Sequence, residues 1–473
     1  MSILPNVMNT GRSGMVAAKA AVATAGHNVA NANTEGYSRQ RVETKTDTPQ
    51  SIGAHAYVGT GTLVSRVDRI NDEYIEKQVR NAGRDMAHME EKELILKQTE
   101  DIFNEMGGDG LNRIMSKFFN DFRKLANEPE NTAIRQSIRE SSQSMINDFH
   151  RMRNEVEEVR RHIDSRLEGH AAEVNALATE VRDLNMKIKQ MELSGAPPND
   201  LMDRRDQSLK KLGAFMDINV HKDEKGSVTV DIKGVGPLVA GPTVESFSVF
   251  RSPADDQGKP DNALDLKTTA SVTGSVTHQI KGGKIGALLT TRDSTLSTIL
   301  DRLDELAMTV SDSVNAIHSQ GFNAEGQQGL NFFKPVDQKE RASSFIELSD
   351  EVKDNINNIA TAAIPDAPGD NRIAIAISGL QSMKLMNNGK STVDDFYNSI
   401  VSDVGVATNR NRTSMNQQKD IQTQLGKMRD QISGVSIDEE TANLLQFHHA
   451  FEASAKVIQV ADEMLKTVLD LKR

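Results

Sequence analysis

The residues of this 473-residue chain that come nearest to carrying chemistry are His448, His449 and Glu452. His448 and Glu452 stand four apart, so an imidazole and a carboxylate would share one helix face. A catalytic metal site needs further ligands. No second histidine or carboxylate cluster completes the set and the His-Glu-x-x-His order is absent, so the pair reads as a surface or interface feature and no metal is expected. Gly59-Thr60-Gly61 lacks the third glycine and the strand–helix setting of a dinucleotide loop, and reads as a turn. Gly321–Phe332 matches a calcium loop at Asn323, Glu325 and Gly326. However, Gly321 sits where the first acidic ligand belongs and Phe332 where the closing bidentate Glu belongs, so calcium is not expected. Asp203-Arg204-Arg205-Asp206 is by default a solvated helix face, with a structural carboxylate–Arg pair as the sharper alternative. Asn411-Arg412-Thr413 fits a glycosylation sequon that matters only on a secretory route. With no cysteine there is no thiolate nucleophile, disulfide or cysteine-ligated metal. No Ser-His-Asp set, acid/base pair or phosphate loop assembles, so neither an enzyme nor a cofactor is expected.

Chemistry of this thin kind turns attention to the elements that would present it. The length sets a prior of about three domains. Hydrophobic residues make 37%, aromatics 4% with no Trp, which favours long helices sharing narrow apolar seams over one large globule. The net charge of −11 argues against a nucleic-acid partner. No run approaches 18 apolar residues, so no membrane insertion is expected. Arg12 and Lys19 precede the small residues Ala20 to Ala25, and Ala30-Asn31-Ala32 mimics a cleavage site. Gly26, His27 and Asn28 break that stretch, so the segment is expected to stay in the mature protein.

Leu4, Met8, Gly11, Met15, Ala18, Val22, Ala25 and Val29 follow 4-3-4-3 steps, an a/d seam. Its residues are small and Gly11, Gly14 and Gly26 each cost about 1 kcal/mol of helix relative to Ala, so this helix needs a partner. At the other end Ser436 and Glu439 form a capping box. Beyond it Ile437, Leu444, Phe451, Ile458 and Leu465 recur every seven residues, over a helix of about 54 Å. Residues 1–45 carry +3 and residues 434–473 carry −3, weak support for pairing of the two ends. A central seam from Met145 to Met191, shifted once between Val159 and Leu167, predicts a helix of about 70 Å. Residues 52–70 read as short extended segments. Strands are predicted at Ile218–His221, Ser227–Ile232, Val244–Phe250, Ala263–Thr268 and Ser275–Ile280, and helices resume at Ile285–Gln320, Ile373–Met386 and Val393–Gln431. The fold class is therefore mainly α with an inserted β domain, its long coiled-coil helices formed by both ends of the chain in nested, discontinuous domains. The expected domains are 1–40 plus 434–473 (terminal helices), 41–212 plus 284–433 (helical shoulder) and 213–283 (β insert).

The segment Ala30-Asn31-Ala32-Asn33-Thr34-Glu35-Gly36-Tyr37-Ser38-Arg39 resembles the A-N-x-N-T-x-G-Y motif of bacterial flagellar axial proteins, the rod, hook and junction subunits; its matching residues are Asn31, Asn33, Thr34, Gly36 and Tyr37. The end, from Ala442-Asn443-Leu444 through Phe451-Glu452-Ala453 to Met464-Leu465, is similar to the C-terminal motif of that class, though Phe447-His448-His449-Ala450-Phe451 stands where Gln and Tyr are more usual. Ser433-Gly434-Val435-Ser436-Ile437-Asp438-Glu439-Glu440, Leu201–Asp206, and Gly286 through Arg292-Asp293 to Asn315-Ala316-Ile317-His318 resemble the hook-associated, hook-side junction subunits within it. That resemblance implies a mechanical function: a ring joining hook to filament. It implies that Leu4, Met8, Met15, Val22 and Val29 of the first helix, and the five heptad residues of the last, pack between subunits. The implied partners are further copies in the ring, hook protein, a second junction protein or the flagellin side, and a type III export chaperone on the C-terminal helix. The implied location is extracellular, on the flagellum, reached without a cleaved signal, and the outward insert would be the part freest to vary. The nearer alternative is another axial subunit, such as hook or distal rod protein, against which the long central seam argues; the more distant is a cytoplasmic coiled-coil scaffold.

Overall fold

Each long helix of this chain buries a stripe, and the stripes decide which helices meet. The computed structural model describes residues 3–53, 56–103, 110–193, 197–223, 226–254, 259–269 and 274–470. Helix α1 (Ile3–Ala30) leads into a ribbon in which β1 (Gln40–Thr46) pairs antiparallel with β4 (Thr62–Arg69), and β2 (Gln50–Gly53) with β3 (Ala56–Val58) between them. Next come α2 (Glu73–Phe103), α3 (Leu111–Asn127), α4 (Thr132–Glu192) and α5 (Asn199–Phe215). A four-stranded antiparallel sheet follows, β5 (Ile218–Lys222), β6 (Val228–Ile232), β7 (Gly236–Ala240) and β8 (Thr243–Val244), then a hairpin of β9 (Phe247–Ser252) and β10 (Ala263–Thr268). The chain returns through α6 (Gly283–Thr290), a π-helical stretch Thr291–Leu296, and α7 (Ser297–His318). Short helices α8 (Ala342–Phe345), α9 (Asp350–Asp354) and α10 (Arg372–Gly379) precede α11 (Val393–Ser433) and α12 (Ile437–Asp470). The fold is mainly α with long helices and a small β region, as the periodicity predicts. Helix α1 packs on α12, and α2 on α11.

The central helix is longer than its seam. Asn131 caps it by accepting from the Ala133 and Ile134 amides, so α4 starts 13 residues before Met145 and its 61 residues span about 90 Å. The seam is buried from Met145 to Ile188, shift included, except that Ala178 replaces Leu177 and Met191 is exposed. Other expectations need correction. Ser275–Ile280 is no strand: the Thr277 hydroxyl accepts from the Leu266 amide and Val276 N–H donates to Leu266, so the segment closes as a 3-10 turn against β10. The helix expected to reach Met386 stops at Gly379. Strands β1 and β7 were not legible, because Gln40–Thr46 is charged and Gly236–Ala240 is short and begins Gly-Pro.

Aromatic scarcity is met by concentration. Phe118, Phe119, Phe122, Phe332 and Phe333 touch edge-on with centroids 4.9–5.8 Å apart, a preferred geometry, under α3 and the loop after α7. That loop is held by the Asn315–His318 segment. Asn315 Oδ1 accepts from the Phe332 and Phe333 amides, while buried His318 donates from Nδ1 to the Leu330 carbonyl and accepts at Nε2 from the Ala360 amide.

Three side chains of α4 hold the β region by its backbone. Asn185 accepts from Val228 N–H and donates to Val228 C=O; Asn175 does the same for Phe247; Asp164 accepts from the Leu264 amide. Buried Arg292, in the π-helical stretch, joins Asp164 at 2.8 Å to the Leu264 carbonyl at 2.7 Å. Beneath them Val174, Ala178 and Val181 share a core with Val230, Val239 and Leu266. The insert is therefore a lid on α4.

Two outcomes follow. Asn185→Ala strands both Val228 backbone groups and one Arg205 contact, and is expected to destabilise the chain by about 2–4 kcal/mol, measurable by urea denaturation. Burial, foremost, with repulsion from Arg135, depresses the His318 pKa from 6.5 to about 4. A group protonated more readily in the unfolded chain makes stability fall as pH drops from about 6.5 toward 4. Near pH 5 the loss should be about 2 kcal/mol relative to pH 7, and His318→Gln should flatten that slope.

Candidate functional site

The motif-bearing segments of the sequence converge where α1 ends and α12 begins. Helix α1 terminates in turns at Ala30–Gly36, and Gly36 takes φ +83°, a left-handed value that a side chain would strain while pressing its Cβ to 2.6 Å from Gln207 Oε1. The turn brings Tyr37 back under the helix. Asn28, 1% exposed, sits at the centre. Its Oδ1 accepts from the Tyr37 hydroxyl (2.8 Å) and the Gln40 amide (2.9 Å), and its Nδ2 donates to the Gln40 carbonyl (2.9 Å) and Glu440 Oε2 (3.0 Å). Every hydrogen-bonding position of that amide is filled.

Glu440 lies in the first turn of α12, where the helix dipole favours a carboxylate. Arg39 reaches it at 2.7 Å and also pairs with Glu439 at 2.9 Å. The capping box is therefore half formed: Ser436 Oγ accepts from the Glu439 amide, but the Glu439 carboxylate goes to Arg39. The charge difference between the chain ends concentrates on this one arginine. The Arg39 amide also donates to the Ser433 carbonyl, fixing α12's approach.

The third segment comes from α5. Asp203, buried, accepts from the Ser38 amide at 2.9 Å and from Arg69 of β4 at 2.9 Å; Asp206 takes the same arginine at 2.6 Å. The carboxylate–Arg reading of Asp203–Asp206 thus holds, with Arg69 as the cation. Within the segment Arg204 pairs at the surface with Glu180, while Arg205 is buried and donates to Asn185 and the Gly226 carbonyl. Asp200 accepts from Gln40 and meets His27 at 3.3 Å. Arg429 of α11 ties Glu76 to the Tyr37 carbonyl. Burial raises the Asp203 carboxyl above its usual range, against the Ser38 and Arg69 bonds. Burial, then Asp200, Asp203 and Glu440, push the Tyr37 phenol far up, so it stays a donor.

Among the motif residues, Asn31 closes α1 by donating to the His27 carbonyl, Thr34 donates to Asn31, and Asn33 is exposed beside a cleft of about 520 Å³ that Gly36 and Tyr37 also line. Arg39, Arg69 and Glu440 were not singled out as site residues. The seven-residue repeat drew attention to apolar positions, and a lone charge carries no periodicity.

Beyond this junction α1 and α12 run together over small residues. Cβ atoms added at Gly11 and Gly14 would stand 2.7 Å from Ile458 Cγ1 and 2.6 Å from Ser454 Oγ, so both glycines mark close approach of the helices. Gly11, Ala18 and Ala25 are buried, and Met8, Met15, Val22 and Val29 half-buried; the Leu4 side chain lies outside the described residues. On α12, Leu444, Ile458 and Leu465 are half-buried, while Ile437 and Phe451 are exposed. Of its 34 residues only Glu440 and Ala461 are buried, and Leu445, Val457, Val460, Met464, Val468 and Leu469 face outward. His448, His449 and Glu452 lie exposed on the same helix. Asn411 is buried, donating to Met89 and Glu93, so its amide is committed inside. Asn323 Oδ1 accepts from the Glu325 and Gln327 amides and so shapes a turn. No helix among the described residues is long and apolar enough to cross a membrane.

Comparison with known proteins gives three family matches. Residues 96–333 match the family described as flagellar hook-associated protein FlgK helical domain, residues 8–37 flagella basal body rod protein, and residues 430–471 flagellar basal body rod FlgEFG protein C-terminal. The latter two bracket the junction just described. The flagellar hook-associated protein 1 of Bacillus subtilis is 28% identical, covering 98% of this chain and 97% of its own length. That of Salmonella typhimurium is 24% identical over 99% and 100%. The flagellar hook junction protein FlgK from Burkholderia pseudomallei shares the fold, with a TM-score of 0.66 and 15% identity over 75% of this chain and all of its own.

Asn28→Ala leaves the Tyr37 hydroxyl, both Gln40 backbone groups and one Glu440 oxygen without their partner. It is expected to cost about 2–4 kcal/mol and to expose residues 434–470 to limited proteolysis. Unchanged cleavage and an unchanged denaturation midpoint would remove Asn28 from the centre of the junction.

Proposed function

This chain belongs to the FlgK family of flagellar hook-associated proteins, and we propose from that premise that it forms the hook-side ring of the hook–filament junction, a mechanical adaptor with no catalytic role. The observation that carries the reading is the outward face of α12. Eight large apolar side chains along its 34 residues, Ile437 and Phe451 among them, stay exposed within the described chain. The molecule exposes 24756 Å², against roughly 17,000 Å² expected of a compact monomer of this mass. Surface of that kind is stabilised by burial at about 25 cal/mol per Å².

Geometry supports a head-to-tail arrangement of copies. A groove of about 610 Å³ between α1, the ribbon and α12 is lined by small residues along α1, among them Gly14, Ala17 and Ala21, with Arg39, Arg41 and Phe447 across from them. Large side chains such as Leu445 and Met464 of a neighbouring copy fit holes of that kind, and two different complementary patches generate rings or helices. In this reading residues 1–40 with 434–473 form the subunit-packing layer, 41–212 with 284–433 the shoulder around it, and 213–283 the outer region. Met8, Met15, Val22 and Val29, with the exposed Ile437 and Phe451, add to the contact between copies. Hook protein lies on one side of the ring and a second junction protein or flagellin on the other. Before assembly an export chaperone covers the same apolar face of α12, and the chain leaves the cell without a cleaved signal.

A strain lacking the gene is expected to carry bare hooks and to shed filament subunits into the medium. Absent hooks would move the protein to the rod or hook, and normal swimming would overturn the assignment. Leu445→Glu with Met464→Glu alters only exposed positions, so stability should stay within about 0.5 kcal/mol of wild type while swimming is lost.

A further inference from the structure

The side of α12 that carries Leu445 also carries a group of polar side chains that the motif junction does not use. His448 Nδ1 lies 3.5 Å from Glu452 Oε1 and His449 Nδ1 lies 3.3 Å from Glu452 Oε2. One atom from each residue can be chosen so that all three lie within 4.8 Å of one another. Helix geometry explains the convergence: residues 448 and 449 are four and three positions before 452, the two spacings that adjoin it on the helix surface, so the imidazoles approach one carboxylate from either side. Lys456, one turn beyond, makes no ion pair with Glu452 among the described residues, so both carboxylate oxygens face the histidines. Zinc bonds of about 2.0–2.1 Å place tetrahedral ligands roughly 3.3–3.4 Å apart; each imidazole stands at about that distance from its own carboxylate oxygen, and the set as a whole lies within 4.8 Å, so small rotamer shifts would close it on one ion.

We propose that His448, His449 and Glu452 form a three-ligand site for a borderline divalent transition metal, zinc or nickel, with the remaining coordination open to water or to a group of a neighbouring copy. Imidazole nitrogen with one carboxylate suits these ions better than calcium or magnesium, which take oxygen ligands. Exposure leaves the ligands without buried second-shell support, so the affinity belongs to a surface site that samples free metal. The site stands on α12 alone and is independent of the junction assignment.

The test is calorimetric titration of the full-length, metal-stripped chain with zinc chloride and separately with nickel chloride, near pH 7.5. Saturable binding is expected, weakened about tenfold or more in His449→Ala and in Glu452→Gln. It should survive in His221→Ala, an exposed histidine 3.6 Å from Asp231 that belongs to no three-ligand group among the described residues. All substitutions are at exposed positions, so far-UV circular dichroism should match wild type. No saturable heat with either metal, or equal affinity in wild type and His449→Ala, would overturn the site.

Discussion

One buried carboxylate, Glu440, decides where the last helix of this chain begins. It is 3% exposed and sits at the positive end of α12, where a negative charge is stabilised; a second stabilisation comes from Arg39 and a third from the Asn28 amide, 412 residues away. Removing water from a charge costs several kcal/mol unless every lone pair finds a donor, so these groups hold one arrangement. Asn28 transmits it. The oxygen and nitrogen of its amide read both the acceptor and the donor of Gln40, so the point where α12 starts also sets the point where β1 starts. Asp203 does the corresponding work on the other side of Tyr37, holding Ser38 and Arg69 and so tying α5 to both ends of the ribbon.

That polar junction is needed because the helices above it offer so little apolar area to each other. The glycines at 11 and 14, which lower intrinsic helix stability, let α12 come within contact of α1's backbone at Ser454 and Ile458. Close approach gains dispersion contacts and loses side-chain burial. A large residue on α1 would bury more area but would hold α12 away, and the Asn28–Glu440 contact below would open. The weak seam and the strong junction are therefore one design, and the apolar residues that α1 has no room for are left on the outer face of α12.

How much of this was legible follows the same division. Period and composition carried the helices: the central seam was traceable except at Leu177 and Met191, because large apolar residues repeat at steps of three and four over 47 positions. Strand β10 was traceable to both ends. Charged or short strands such as β1 and β7 were not, since their pairing is set by the partner strand rather than by their own alternation. At the junction, sequence pointed to Asn31, Gly36, Tyr37 and the Asp203–Asp206 segment as separate motifs. Their meeting place was not readable, because it depends on Arg39, Arg69, Asn28 and Glu440, single polar residues without a period, brought together across most of the chain.

The β region shows why a segment whose own sequence is free to vary is still needed. Its strands lie along α4 over Asp164, Asn175 and Asn185, each about three helical turns from the next and each bonded to backbone of a strand. Side chains that satisfy a strand's backbone groups fix its position without asking anything of its sequence, so residues 213–283 are free to vary at positions facing away. They are not free to be absent. Val174, Ala178 and Val181 would then lose the Val230, Val239 and Leu266 side of their core, and α4 would present to water the same kind of apolar stripe that α12 presents. An uncovered α4 and the exposed side of α12 would offer the same kind of apolar surface, with nothing in their chemistry to distinguish one from the other. Covering α4 thus leaves α12 as the long helix whose apolar residues stay exposed, which is a reason for the β region that does not depend on any binding role of its own.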